Sequence, residues 1–203
     1  MKTLDKQQKK RLKSLSVSLM QYIRPFELRH YGHLILEYRN DLIKADFDKI
    51  AFWQQFGECT RKRIENRHHH QKACLFGFTE VKLDEHGWFE RPELNDIEHI
   101  LFETNQDRYY CNNYVTVARG NNQIWTYSVH YDLGSASGGY APCVFGQIFQ
   151  SRDEAINAGI DELKARHIRA SKRIDTAYNQ SLINAVLKSI EKYKADQQQL
   201  SLF

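Results

Sequence analysis

The strongest local constraint on the fold is a pair of alternating runs, Tyr114–Arg119 and Ile124–Tyr131, joined by Gly120-Asn121-Asn122. Period-two alternation sends successive side chains to opposite faces of a strand, and the turn residues close two such runs into an antiparallel hairpin. On the second run Trp125, Tyr127, Val129 and Tyr131 share one face, which is expected to pack on a core.

Around this hairpin the periodicity changes. Leu75–Leu83 reads as a strand, His86-Gly87 as a turn, and Pro92 as the opening of a short helix over Leu94, Ile97 and Leu101. The Gly134–Gly139 stretch is a loop by composition, followed by a short strand near Cys143–Phe149.

The front of the chain is helical by the same criteria. Residues 1–24 form an amphipathic pattern through Leu4, Leu12, Leu15, Leu19 and Ile23, which Pro25 ends. Phe26–Lys44 follows with Leu28, Tyr31, Ile35, Tyr38 and Leu42 on one side. A third helix is expected from Asp46 as N-cap through Phe47, Ile50, Trp53, Phe56 and Ile64 into the polar run Arg61–Gln71.

At the back, Ser151 and Glu154 form a capping box that opens a helix through Ile156, Ile160, Leu163 and His167. A last helix covers about Asp175–Lys194, with Ile183, Val186, Leu187 and Ile190 on its apolar side. The reading is an α+β protein. It has a basic helical region (1–72), a mixed β-rich region (73–150), C-terminal helices (151–194) forming one globular unit with it, and a flexible tail (195–203).

The composition excludes several classes. With 41% hydrophobic residues and 27% charged, the chain is not disordered as a whole, and no apolar run approaches the length of a membrane helix. No signal peptide is read in the first 24 residues. The spacing of Cys59, Cys74, Cys111 and Cys143 suits neither a zinc knuckle nor a disulfide framework. A cytoplasmic protein without membrane contact is expected.

The net charge of +4 conceals an asymmetry. Residues 1–72 carry 16 Lys/Arg against 8 Asp/Glu, residues 73–150 carry 4 against 10, and residues 151–203 carry 9 against 7, so the segments hold +8, −6 and +2. Two clusters, Lys9-Lys10-Arg11 with Lys13 and Arg61-Lys62-Arg63 with Arg67, are candidates for neutralising DNA phosphates; a solvated helix face is the alternative.

Other chemistry is thinner. Trp125 and Tyr127 could stack bases but are more often core. His68-His69-His70 near Cys59 and Cys74 has zinc-type ligands but no paired spacing. Glu80-Val81-Lys82 has the E-x-K form of a metal-dependent nuclease, without an earlier acid at a strand end; the upstream Asp41, Asp46 and Asp48 fall in helical surroundings. No P-loop, G-x-S-x-G or H-E-x-x-H occurs, and no cofactor is expected.

The tail reads Ala195-Asp-Gln-Gln-Gln-Leu-Ser-Leu-Phe203. Its last five residues, Gln199, Leu200, Ser201, Leu202 and Phe203, resemble at every position the short motif by which bacterial proteins dock on the β sliding clamp. The resemblance implies that Gln199 occupies a small polar subsite, Leu200 makes a supporting contact, Ser201 is a spacer, and Leu202 with Phe203 fills a hydrophobic cleft. Gln197, Leu200 and Phe203 fit more loosely the Gln-x-x-Leu-x-x-Phe core used with archaeal and eukaryotic clamps, whose second aromatic is missing here. The resemblance implies a bacterial, phage or plasmid accessory protein of DNA replication or repair, recruited to the clamp and touching DNA through its basic front. The alternatives are a clamp-recruited nuclease and an inhibitor of the clamp.

Overall fold

The computed structural model describes residues 6–7, 10, 14–17, 19, 25–102, 112–172 and 178–200. The chain divides into two compact units, one running up to Cys74 and including Phe78–Pro92, the other comprising Leu75–Gly77 and the chain from Glu93 onward. The α+β expectation holds: helices accompany a four-stranded antiparallel sheet. Among the described residues no helix is long and apolar enough to cross a membrane.

The first unit is helical. The described residues between 6 and 19 are helical. They precede α1 (Pro25–Lys44), α2 (Phe47–Gln54) and α3 (Thr60–Leu75). Leu34, Ile35, Tyr38 and Leu42 of α1 form the core with Trp53, Ile64 and Leu19, while Leu15 is exposed. Leu4, Leu12 and Ile23 lie outside the described residues.

α1 ends in a Schellman motif. Asp46 N–H donates to the Asp41 carbonyl, Ala45 N–H donates to the Leu42 carbonyl, and Ala45 takes the left-handed conformation with φ of 54°. Asp46 then caps α2 by accepting from Lys49 N–H (3.2 Å), as its sequence position implies. α3 ends the same way: Gly77 is left-handed (φ 82°) and Phe78 N–H reaches the Ala73 carbonyl (3.1 Å). An alanine thus stands where the second helix uses glycine. Left-handed backbone costs an L-residue about 1–2 kcal/mol, part of which glycine returns as unfolded-state entropy. Ala45→Gly is therefore expected to stabilise the fold by about 0.5–1 kcal/mol, read as a rise in the urea midpoint.

Several expected elements are corrected. The single helix from Asp46 to Gln71 is two, broken at Gln55–Cys59 because Gly57 adopts φ of 135°. Arg63 secures this corner by donating to the carbonyls of Gly57 (2.8 Å) and Glu58 (3.0 Å) and to the Tyr38 hydroxyl (2.8 Å). The expected strand Leu75–Leu83 does not form, since Leu75 closes α3 and only Leu83 makes a bridge, to Phe89. The turn at His86-Gly87 does form, with Asp84 Oδ1 accepting from His86 N–H (2.9 Å) and Trp88 N–H (2.8 Å). Another correction falls in the second unit, where the helix expected after Pro92 is instead an edge strand.

That unit is a meander in the order β1 (Asn95–Leu101), β2 (Tyr114–Arg119), β3 (Trp125–Asp132), β4 (Ser137–Gly139). The hairpin lies where the alternation places it, with Val115 opposite Val129, Val117 opposite Tyr127 and Arg119 opposite Trp125. Its left-handed residue is Gln123 (φ 68°). Gly120 is required for another reason: a Cβ there would fall well inside contact distance of the Phe76 carbonyl. Two further expectations are corrected: the short strand near Cys143–Phe149 reduces to a bridge at Phe149, which exchanges backbone hydrogen bonds with Trp125 (2.9 Å each), and the Gly134–Gly139 stretch, expected as a loop, supplies β4 at Ser137–Gly139.

α4 (Arg152–Ser171) and α5 (Gln180–Leu200) complete the unit. Tyr127 and Val129 are buried on the sheet face that meets Ala155, Ile156, Ile160 and Leu163 of α4 and Val186 and Ile190 of α5, with Trp125 and Tyr131 packed alongside. The capping box forms in shifted shape: Ser151 Oγ accepts from Glu154 N–H (3.2 Å), while Glu154 reaches back to Gln150 N–H (3.1 Å). Gly159 sits where α4 crosses the sheet, and a Cβ there would run into Val115 and press on Tyr127 (3.1 Å). The gain of about 1 kcal/mol in helix propensity from Gly159→Ala is outweighed by overpacking of about 1–3 kcal/mol.

Candidate functional site

The C-terminal motif begins inside α5. Asn179 starts this helix by accepting from Leu182 N–H at its side chain (3.0 Å) and from Ile183 N–H at its carbonyl (3.0 Å). Ile183, Val186 and Ile190 are fully buried, Tyr193 packs edge-on against Phe102 at 5.6 Å, and Lys194 Nζ pairs with Asp161 of α4 at 2.6 Å. Beyond Lys194 the helix continues through Leu200, and Ala195 through Gln199 are all exposed. The expectation of a loose tail from Ala195 is corrected to this extent: apolar periodicity stops there, but the helix does not. Ser201, Leu202 and Phe203 lie outside the described residues.

Of the first basic cluster, Lys10 is described, and it is helical and exposed; Lys9, Arg11 and Lys13 lie outside the described residues. The second cluster lies on α3 and is largely engaged within its own unit. Arg61 pairs with Glu65 (2.9 Å) and lies 4.0 Å from Glu27. Lys62 donates to the His86 carbonyl (2.6 Å) and stands over the Trp88 ring at 5.7 Å. Arg63 holds the α2–α3 corner. Arg67 lies over the rings of Phe52 (4.8 Å) and Phe56 (5.4 Å), with its buried Nε lacking a hydrogen-bond partner. Arg61 is the most open, its side chain 65% exposed.

The remaining candidates resolve by position. Trp125 and Tyr127 face the core, which removes them from base stacking. Glu80 and Lys82 sit in irregular chain, exposed and paired with each other at 3.0 Å. The upstream acids serve the helices: buried Asp41 accepts from the Trp53 indole (3.0 Å), and Asp46 is a cap. Cys74 Sγ lies 3.7 and 3.6 Å from the two ring nitrogens of His70, a near-equal pair that places sulfur over the ring rather than in its plane. His70 Nε2 is committed to the Thr79 carbonyl (2.8 Å). Among the described residues no group of three or more His, Cys, Asp or Glu is placed to hold a metal ion.

The histidines have a stability consequence instead. Burial pushes the His68, His69 and His167 imidazoles below their ordinary value of 6.5, with His69 and Lys72 adding to the effect on His68 and Arg91 adding to it on His69. A depressed folded value means that the unfolded chain binds protons first as pH falls. This stability is complete above about pH 6.5 and is lost progressively below it, so the thermal midpoint at pH 5 should lie several degrees below that at pH 7.5.

One site had no signal in the sequence. A half-open cleft of about 320 Å³ in the second unit is lined by Tyr127, Tyr140, Cys143, Phe145, Gln147 and Glu162. Glu162 accepts from Tyr127 Oη (2.9 Å) at one oxygen and from Arg166 Nε (3.0 Å) and Nη2 (2.5 Å) at the other. Burial and this carboxylate push the Tyr127 and Tyr140 phenols up. The carboxylate is engaged at both oxygens, so the cluster braces α4 against β3 instead of offering a free base.

Comparison of the chain with protein-family models, with curated proteins and with solved structures finds no match.

Proposed function

We propose that this protein is an accessory factor of DNA replication or repair that docks on the bacterial β sliding clamp through Gln199-Leu200-Ser201-Leu202-Phe203. The observation that carries the reading is the match of this pentapeptide at every position, at the end of a helix whose residues Ala195–Gln199 are exposed. Burying a leucine and a phenylalanine is worth roughly 1.5–3 kcal/mol each, which after ordering costs supports docking at about micromolar affinity. Such docking is exchangeable, as suits a factor that shares the clamp with other proteins.

DNA contact is assigned to the basic front, with Lys9, Lys10, Arg11 and Lys13 ahead of the α3 cluster. The internal bonds of Lys62, Arg63 and Arg67 leave Arg61, whose side chain is 65% exposed, as the member of the α3 cluster with most freedom to turn to phosphate. The adaptor reading is favoured over the nuclease because Glu80 and Lys82 neutralise each other in an irregular segment. A pull-down with purified clamp tests the proposal: the full chain should retain the clamp, and the chain lacking residues 199–203 should not. Equal retention by both would remove the motif from the interaction.

A further inference from the structure

We propose that the outer edge of β1 is a self-pairing surface, joining two copies of this chain through an antiparallel β1–β1 ladder centred on His99. β1 is the terminal strand of the sheet, and among the described residues no strand pairs with its other side. An unpaired strand edge offers backbone N–H and carbonyl groups to a further strand. Which groups it offers follows from the phase of the ladder. Phe102 N–H donates to the Asn113 carbonyl (2.8 Å), and antiparallel bonding alternates, so Ile100 and Glu98 also turn their backbone groups to β2. His99 and Leu101 turn theirs outward.

The side chains favour pairing at this edge. Ile97 and Leu101 are 57% and 56% exposed, on the face opposite buried Ile100. Edges are ordinarily kept apart by charge, lysine above all. β1 contains no lysine, Asp96 is paired with Arg119, and Glu98 is held by Arg152 (2.6 and 2.8 Å). The His99 ring is drawn over β2, its Nδ1 2.8 Å from Thr116 Oγ1 and its plane edge-on to Tyr114.

The register identifies the occupant as a second copy. In a two-fold antiparallel pair, outward groups meet only in registers that set a residue opposite its own copy. Centring on Glu98 sets that carboxylate against itself, and centring on Ile100 leaves Ile97 with no partner in the strand. Centred on His99, Ile97 faces Leu101 of the second copy and Leu101 faces its Ile97, so both exposed apolar side chains gain a cross-strand partner. The bulge between Asn95 and Glu98 confines the ladder to residues 97–101, which makes the dimer weak and reversible.

Sedimentation equilibrium of the full chain, from about 5 to about 500 μM, tests the proposal. A monomer–dimer equilibrium is expected, with a dissociation constant about tenfold higher or more in Ile97→Lys and in Leu101→Lys. Both positions are exposed, so the thermal midpoints of these variants should match that of the parent chain. The register is read by mixing the single variants Ile97→Cys and Leu101→Cys, oxidising them and mapping the linked peptides. Links from position 97 to position 101 should predominate, because like positions lie about 14 Å apart in this ladder, beyond the reach of a disulfide. A chain that stays monomeric over the whole range would overturn the proposal. So would lysine variants that dimerise as the parent does, or links between like positions in equal yield.

Discussion

Replacing Asn66 with leucine is expected to destabilise the helical unit by about 1–5 kcal/mol. Asn66 lies on α3 with no exposed surface. Its Nδ2 donates to the carbonyls of Phe56 (2.7 Å) and Gly87 (2.9 Å), and its Oδ1 accepts from Phe89 N–H (2.9 Å). One side chain therefore ties the α2–α3 corner to the exit of the turn at residues 84–88. Leucine has nearly the same shape but leaves the Phe56 carbonyl and the Phe89 amide buried without partners, and the part-buried Gly87 carbonyl to water. Each of the two buried orphans costs about 1–3 kcal/mol, and the apolar transfer gained is roughly 2 kcal/mol at most, which leaves a net loss of about 1–5 kcal/mol. Against a typical domain stability of about 5–15 kcal/mol the upper end of that loss is severe. Urea unfolding followed by Trp53 and Trp88 fluorescence checks it. A midpoint within error of the parent chain would show that the Asn66 bonds do not hold this corner.

The second large effect concerns docking. Leu202→Ala with Phe203→Ala removes both proposed anchors, each worth roughly 1.5–3 kcal/mol of burial less about 0.5–1 kcal/mol of side-chain ordering. The sum spans about 1–5 kcal/mol, and its middle lies well above the 1.4 kcal/mol that makes a factor of ten, so at least tenfold weaker binding is expected. The rest of the pentapeptide should rank by role. Gln199→Ala loses an orienting hydrogen bond worth about 0.5–1.5 kcal/mol, Leu200→Ala less, and Ser201→Ala, a spacer, almost nothing. This ordering distinguishes docking from general stickiness of a greasy end, for which Leu200 would weigh as much as Leu202.

Much of the fold was legible because its signals are local. The hairpin is written in six alternating residues, a turn and eight more, and the pairing of Val117 with Tyr127 follows from that spacing. The N-cap at Asp46 and the box at Ser151–Glu154 are likewise short-range chemistry. The edge strand β1 was not legible: Leu94, Ile97 and Leu101 imitate helical spacing, yet Ile97 and Leu101 are exposed and it is Ile100 that enters the core. Pairing with β2, remote in sequence, and a bulge at left-handed Asp96 (φ 49°) decide that segment. In Leu75–Leu83 the strand reading fails because left-handed Gly77 ends α3.

The sites divide along the same line. A linear motif such as Gln199–Phe203 needs no fold to be read. The cleft around Glu162 draws Tyr127, Tyr140, Cys143 and Phe145 from a strand and a loop onto a helix, at separations that carry no pattern. The charge run on α3 showed composition but not use: Arg63 and Arg67 proved to be fasteners, which only their partners reveal.

The most direct test of the central claim is surface plasmon resonance of the intact protein over immobilised β clamp, beside the Leu202→Ala, Phe203→Ala double variant. The expected result is saturable binding at about micromolar affinity that falls at least tenfold in the variant, with the thermal midpoint unchanged. Equal affinity in the two proteins, or no saturable binding by the intact one, would contradict the account.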